Sequence, residues 1–166
     1  MQIRGITKAD YDQVVQVLDR WWGGPSREQA HPIFFYELGR HALIAEDAAE
    51  GTGERGALVG FLLGLVTDGA EPTAYVHLCG IHPDHRRRGV GKRLYEVFVE
   101  RAARAGATRV KAITNVGNDG SIDFHRALGF TVESDPDYAG PGRARVVFVR
   151  STVAPEGVAA GERRGT

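Results

Sequence analysis

Apolar positions change period several times along the chain, and each change predicts an element. Residues 2–6 alternate weakly and predict a short first strand. Thr7, with Asp10 three residues on, resembles a capping box with Asp in the acidic position. The helix it opens puts Tyr11, Val14, Val15, Leu18 and Trp22 on one apolar face, and Gly23-Gly24-Pro25 stops it. A shorter helix over residues 32–39 carries Ile33, Phe34, Tyr36 and Leu38. Residues 42–46 and 58–67 read as strands joined by DAAEGTGERG, a loop of small and charged residues that suits a hairpin. Residues 74–82 form a third strand of that sheet.

Residues 90–105 give the clearest helix, with Val90, Leu94, Phe98, Ala102 and Ala105 recurring every three to four positions. Glu100 and Arg104 make a favourable i,i+4 pair on its wet side, and Gly106 ends it. A strand at 109–113, a short helix at 120–128 stopped by Gly129, and a last strand at 144–150 complete the order βααβββαβαβ. That order is mixed α/β with one sheet and not a doubly wound pattern. One domain is expected over residues 1–150. Residues 151–166 hold Gly, Ala, Pro and charge with hardly an apolar anchor, so a disordered tail is expected there.

Composition narrows the class. The 166 residues suit one domain with one core, and 42% hydrophobic with 25% charged residues fits a soluble globular protein. Net charge is zero, so no global field favours nucleic acid or a membrane surface. Charge is nevertheless uneven: nine Arg and Lys residues between Arg86 and Lys111 face only Glu96 and Glu100, which suggests a small polyanionic ligand. Cys79 is the single cysteine, so no internal disulfide forms, and a reduced, cytoplasmic compartment is expected. The N-terminus lacks a basic region followed by an apolar one, and GALVGFLLGLVTD is too short and glycine-rich to span a bilayer. No metal site is assigned.

The chemistry concentrates in AYVHLCGIHPDHRRRGVGKRLYEVF, residues 74–98, and within it in 82–93. A strand ends near Pro83, a basic glycine-containing loop follows, and the long helix begins near Val90. A helix N-terminus offers unpaired N–H groups and a positive dipole end. Gly89 and Gly91 remove side chains that would keep an anion from those groups. Arg86, Arg87, Arg88 and Lys92 add full charges around them. Spacing excludes a P-loop, which needs Gly where Arg86 stands and Ser or Thr where Arg93 stands. It also excludes a dinucleotide fingerprint, which needs Gly or Ala at Leu94.

Arg86-Arg87-Arg88-Gly89-Val90-Gly91 resembles the Gln/Arg-x-x-Gly-x-Gly/Ala motif of the GNAT superfamily of N-acetyltransferases. HPDHR before it is similar to that family's strand-to-loop passage. Asn118 followed by FHRALGF (124–130) resembles the family's second landmark, and the order of elements agrees over residues 1–150. The resemblance implies a single central sheet, mixed but mostly antiparallel and flanked by helices. It implies acetyl-coenzyme A as cofactor and transfer of its acetyl group to a primary amine in a ternary complex.

Residue by residue, the resemblance implies that the strand holding Cys79, Gly80 and Ile81 pairs through its backbone with the pantetheine arm. Arg86 to Lys92, including Val90, match the pyrophosphate-binding turn. Asn118, Ser121, Phe124 and His125 line the arm from the neighbouring strand end. A β-bulge near residues 78–80 would aim an N–H at the thioester carbonyl and stabilise the oxyanion. An attacking amine must lose a proton, and the departing thiolate can gain one. The family's acid position, usually Tyr, is His125 here, and its frequent Glu position falls on Tyr75. His77, two residues on and on the same face, is the favoured base, directly or through water. Cys79 reads as an inert small hydrophobe, since nothing in the sequence lowers its pKa. The acceptor pocket would draw on the first two helices and a late hairpin, which contain Trp21, Trp22, Phe34, Phe35, Tyr36, Asp137 and Tyr138. A polyamine, an antibiotic amine, an amino acid and a peptide terminus all remain open as acceptors. A catalytically silent coenzyme A sensor is the alternative function. A nucleic-acid module is disfavoured by the neutral charge. A homodimer is the commonest soluble assembly and so the oligomer to test for.

Overall fold

The computed structural model describes residues 1–47 and 56–152. Most of the loop expected at 47–56, and the tail from residue 153 on, lie outside the described residues. In chain order the elements are β1 Gln2–Gly5, α1 Tyr11–Trp22, α2 Ile33–Tyr36, β2 Leu43–Glu46, β3 Leu58–Val66 and β4 Thr73–Ile81. There follow α3 Val90–Arg104, β5 Arg109–Asn115, α4 Asp119–Ala127, β6 Thr131–Asp135 and β7 Arg145–Ser151. The seven strands form one sheet in the order β1-β2-β3-β4-β5-β7-β6. Every neighbour is antiparallel except β4 and β5. The expected mixed, mostly antiparallel sheet is therefore what the chain forms.

Each face of the sheet carries its own apolar cluster. Leu94, Phe98 and Ala102 of α3 cover one face with Val110, Ala112, Val146 and Phe148 beneath them. Ile122, Phe124 and Leu128, in and just after α4, pack against the same side. Val14, Leu18 and Trp21 of α1, with Phe34 and Phe35 of α2, cover the other face over Phe61 and Leu63.

Three expectations need correction. The buried stripe of α1 runs through Val14, Val17, Leu18 and Trp21, while Trp22 is exposed. Trp21 stacks on Phe61 at 6.0 Å, and that contact sets the phase of the helix. The helix expected over 32–39 is a single turn, because the amides of Glu37 and Leu38 both close on the Ile33 carbonyl. The strand β6 is an addition to the expected order. Its sequence TVESD is mostly exposed, and it exists because β7 offers it an edge.

Two details of the sheet position the site. The antiparallel register of β3 and β4 steps from Leu63↔Leu78 to Gly64↔Val76, so His77 is an extra, bulged residue on β4. In consequence Ala74 and Val76 belong to the α3 side, Leu78 to the α1 side, and Cys79 and Ile81 to the α3 side again. The bulge lies one residue before the expected 78–80. Secondly, the parallel ladder of β4 and β5 runs from Thr73↔Arg109 to Val76↔Ala112 and stops, although β5 continues beside β7 to Asn115.

Candidate functional site

Beyond Val76 and Ala112 the two central strands part, and a cleft of about 1450 Å3 opens between them. Among the described residues, the parting leaves the β5-facing edge of residues 77–81 without a strand partner, while the opposite edge remains paired with β3. Backbone amides on such an edge need partners, and an extended chain bearing amides of its own supplies them.

The turn after β4 closes one end of the cleft. The Pro83–His85 turn is followed by Arg87 at φ 60° and Gly89 at φ 80°, the latter capping α3. Gly89 accepts the Arg93 amide, so the amides of Val90, Gly91 and Lys92 have no partner within the helix. At Gly91 a Cβ would come within 3.2 Å of the Phe124 ring, so a side chain there would fill the passage between α3 and α4. Lys92 and Arg87 flank this turn and line the cleft. Arg86 does different work: its guanidinium donates to the Trp21 carbonyl at 2.6 Å and to the Ile81 carbonyl at 3.3 Å. It thus satisfies a carbonyl left open at the C-terminal end of α1 and ties that helix to the turn. Arg88 is exposed and outside the cleft lining.

The wall opposite comes from α4. Asn118 caps this helix by accepting the Ser121 amide at 3.3 Å and donates to the Thr114 hydroxyl at 2.9 Å, which fixes the helix to the end of β5. His125 is buried, its ring stacked on Phe148 at 3.9 Å. Its Nδ1 lies 2.7 Å from the Ser121 carbonyl, which can only accept, so Nδ1 carries the proton. Its Nε2 then accepts from the Tyr95 hydroxyl at 2.8 Å. Burial lowers the His125 pKa, with the Ser121 carbonyl acting in the opposite sense, so the ring is neutral at pH 7. Burial, with the Cys79 thiol nearby, holds the Tyr95 hydroxyl well above the usual tyrosine range. Burial also pushes the Cys79 thiol up to about 12, the opposite of an activated nucleophile.

His77 and Tyr75 face the α1 side. The His77 ring stacks on Phe34 at 4.6 Å, and its Nε2 lies 2.9 Å from the Gln29 carbonyl. That carbonyl accepts, so Nε2 carries the proton and Nδ1 is left with a lone pair. Gln29 is itself held by a turn after α1 in which the Asp19 carboxylate accepts the amides of Ser26 and Arg27. Burial, assisted by Tyr138, raises the Tyr75 pKa, so its hydroxyl stays protonated and suits hydrogen bonding better than proton abstraction.

The structure therefore brings His77, Tyr75, Cys79, Ile81 and the α3 turn into one cleft with Asn118, Ser121, Phe124 and His125. Trp21 and Trp22 also line it. Gly80 is buried against Phe61 and does not line the cleft. Phe35 is a core residue packed edge-on against Tyr11, away from the cleft. Tyr138 lies outside the lining, with Lys111 4.7 Å above its ring. Sequence reading passed over Tyr95 and Arg145, both of which line the cleft. The repeat Val90-Leu94-Phe98 hides Tyr95 one position off its crest. Arg145 stood only as the second residue of an alternating strand.

The model of the Acetyltransferase (GNAT) family matches residues 11–130. The L-methionine sulfoximine/L-methionine sulfone acetyltransferase of Salmonella typhimurium (strain LT2) is 26% identical over 151 residues, spanning 84% of this chain and 85% of that protein. Among solved structures, Ard1 from Thermoplasma volcanium superposes with a TM-score of 0.72 at 19% identity, covering 92% of this chain and 98% of that one. An aminoglycoside 6'-N-acetyltransferase complexed with coenzyme A gives 0.70 at 16% identity, covering 94% and 99%. These two share the fold.

Proposed function

The chain belongs to the GNAT acetyltransferase family, whose cofactor is acetyl-coenzyme A, and on that premise we propose that it acetylates a primary amine by direct attack in a ternary complex. One observation carries the reading: the β4–β5 ladder ends at Val76 and Ala112 while α3 begins at the mouth of the opening. The residues present fit the cofactor. Gly91 keeps the passage beside Phe124 free, and the open amides of Val90 to Lys92 suit a diphosphate. The edge of residues 77–81 suits the amides of an extended arm.

When bound, acetyl-coenzyme A supplies an activated thioester: the amine forms a C–N bond, the C–S bond breaks, and the electron pair leaves on sulfur. The protein's own groups manage the protons. An alkylamine titrates near the lysine reference of about 10.4, so it enters mostly as ammonium. His77 Nδ1, whose lone pair is fixed by the Nε2 contact to Gln29, takes that proton, and the second proton, shed by nitrogen as the amide forms, goes to the departing sulfur. On the other wall His125, neutral and pinned by Ser121, orients the Tyr95 hydroxyl. The one Tyr95 proton is held by His125 Nε2 in this arrangement, so hydrogen bonding to the developing thiolate requires the hydroxyl to turn from that ring toward the sulfur, without full transfer. His125 thus acts through Tyr95 as a positioning residue.

Release of thiol from acetyl-coenzyme A in the presence of an amine panel tests the activity and separates it from a silent coenzyme A sensor. His77→Ala should lower kcat/KM by roughly a hundredfold and remove the acidic limb of the pH–rate profile. A variant that keeps the parent's acidic limb excludes His77 as the base.

A further inference from the structure

The cleft lining contains no Asp or Glu among the described residues. It contains four Arg or Lys side chains: Arg86, Arg87, Lys92 and Arg145. Arg86 is spent on two carbonyls, and Arg87 and Lys92 belong to the diphosphate turn. Arg145 has no such assignment. It sits at the start of β7, opposite Asn115 of β5, and is only half-exposed. Val146 and Phe148 of β7 point into the α3-side core, so alternation turns Arg145 to the other face, the one that His77 and Tyr75 occupy.

Among the described residues the only hydrogen bond of the Arg145 guanidinium runs from Nη1 to the Ala144 carbonyl at 2.8 Å. Among the described residues it forms no ion pair. Asp135 is its cross-strand neighbour on β6, but that carboxylate accepts the Asp137 amide at 3.0 Å and does not reach the guanidinium. A guanidinium partly withdrawn from water, with Nε and Nη2 uncommitted, presents a planar fork whose complement is a carboxylate.

We propose that the acceptor is an α-amino-acid-like molecule, carrying a carboxylate on the carbon next to its amine, and that Arg145 holds this carboxylate while the amine is turned to His77. This rests on the acyltransferase reading above. Two strand spacings, about 10 Å, separate β4 from β7 where the ladder is closed. An arginine stem is long enough to span part of such a gap, and an amine one carbon from a carboxylate suits what would remain. A polycationic acceptor finds no counter-charge on these walls. A peptide N-terminus offers an amide carbonyl in place of the carboxylate, a poorer partner for the fork.

The test uses the full chain, saturating acetyl-coenzyme A and thiol detection. Each of a panel of L-α-amino acids is compared with its own carboxamide and with the amine lacking the carboxyl group, beside a polyamine and a short peptide. The best amino acid should exceed its carboxamide in kcat/KM by about ten- to a hundredfold. Arg145→Gln should bring the amino acid down to the carboxamide's level, mainly through KM, and Arg145→Lys should recover part of the difference. Coenzyme A affinity, measured by calorimetry, reports whether each variant is folded; the wild-type comparison stands without them. Transfer to amides, polyamine or peptide as readily as to amino acids overturns this inference and leaves the acyltransferase reading in place. So does an Arg145→Gln variant that lowers all acceptors alike. Coenzyme A binding with no transfer to any acceptor overturns both.

Discussion

Burial works against the Asp10 carboxylate, yet hydrogen bonds from Arg4 and from the Thr7 amide and hydroxyl outweigh it and hold its pKa at about 2. The unfolded carboxyl titrates near 3.9, so Asp10 stabilises the native state above that pH. The contribution, roughly 2 kcal/mol, should fade as pH falls from about 4 toward 2. Urea midpoints followed over this range should slope downward, and Asp10→Asn should flatten part of the slope. The Thr7–Asp10 spacing foretold this contact; the Arg4 partner, brought in by β1 and itself paired with Glu46 of β2, could not be read from it. The Tyr95–His125 pair is a similar case. His125 was visible as the residue filling a family position, but its tautomer is set by Ser121 and its neutral state by the burial that Phe148 helps to provide. Tyr95→Phe and His125→Phe should each cut turnover about tenfold or more with little change in coenzyme A affinity. The double variant should lose no more than either one, as expected of two side chains acting as a unit. Additive losses in a steady-state comparison would separate their roles.

Among the elements, α3 was the easiest to read, and its start matters most. Repeated apolar positions fixed its buried stripe, and Gly89 marked where the chain must bend. At φ 80° an alanine in place of Gly89 carries a left-handed strain of about 1–2 kcal/mol. Gly89→Ala should lower the melting temperature modestly and weaken coenzyme A binding more than it weakens the fold, by titration calorimetry beside thermal melts. Equal affinity in the variant would mean that the turn tolerates reshaping and does not grip the ligand. β6 was not legible, because Val132 is the only large apolar residue in TVESD and pairing with β7 overrides so weak a pattern. The bulge on β4 was expected near its observed place, but its position at His77 follows from the register against β3.

Seen entire, the molecule is two antiparallel ladders, β1 to β4 and β5-β7-β6, joined where four residues of β4 meet four of β5. Element order and the basic turn made that arrangement legible in outline. The placing of His77, Tyr95 and Arg145 in one cleft was not, since they stand on β4, α3 and β7 and line it only after both faces of the sheet are covered. Phe35 and Trp22 show the converse, aromatics whose burial depends on helix phase and whose role cannot be read from type alone. The short seam between the ladders also has an evolutionary reading. On the proposed reading the base would stand on one ladder and Arg145 on the other, so drift in the β6–β7 hairpin would refashion what is accepted while the diphosphate turn at α3 stays untouched. Taste and fuel would then be handled by separable stretches of the polypeptide.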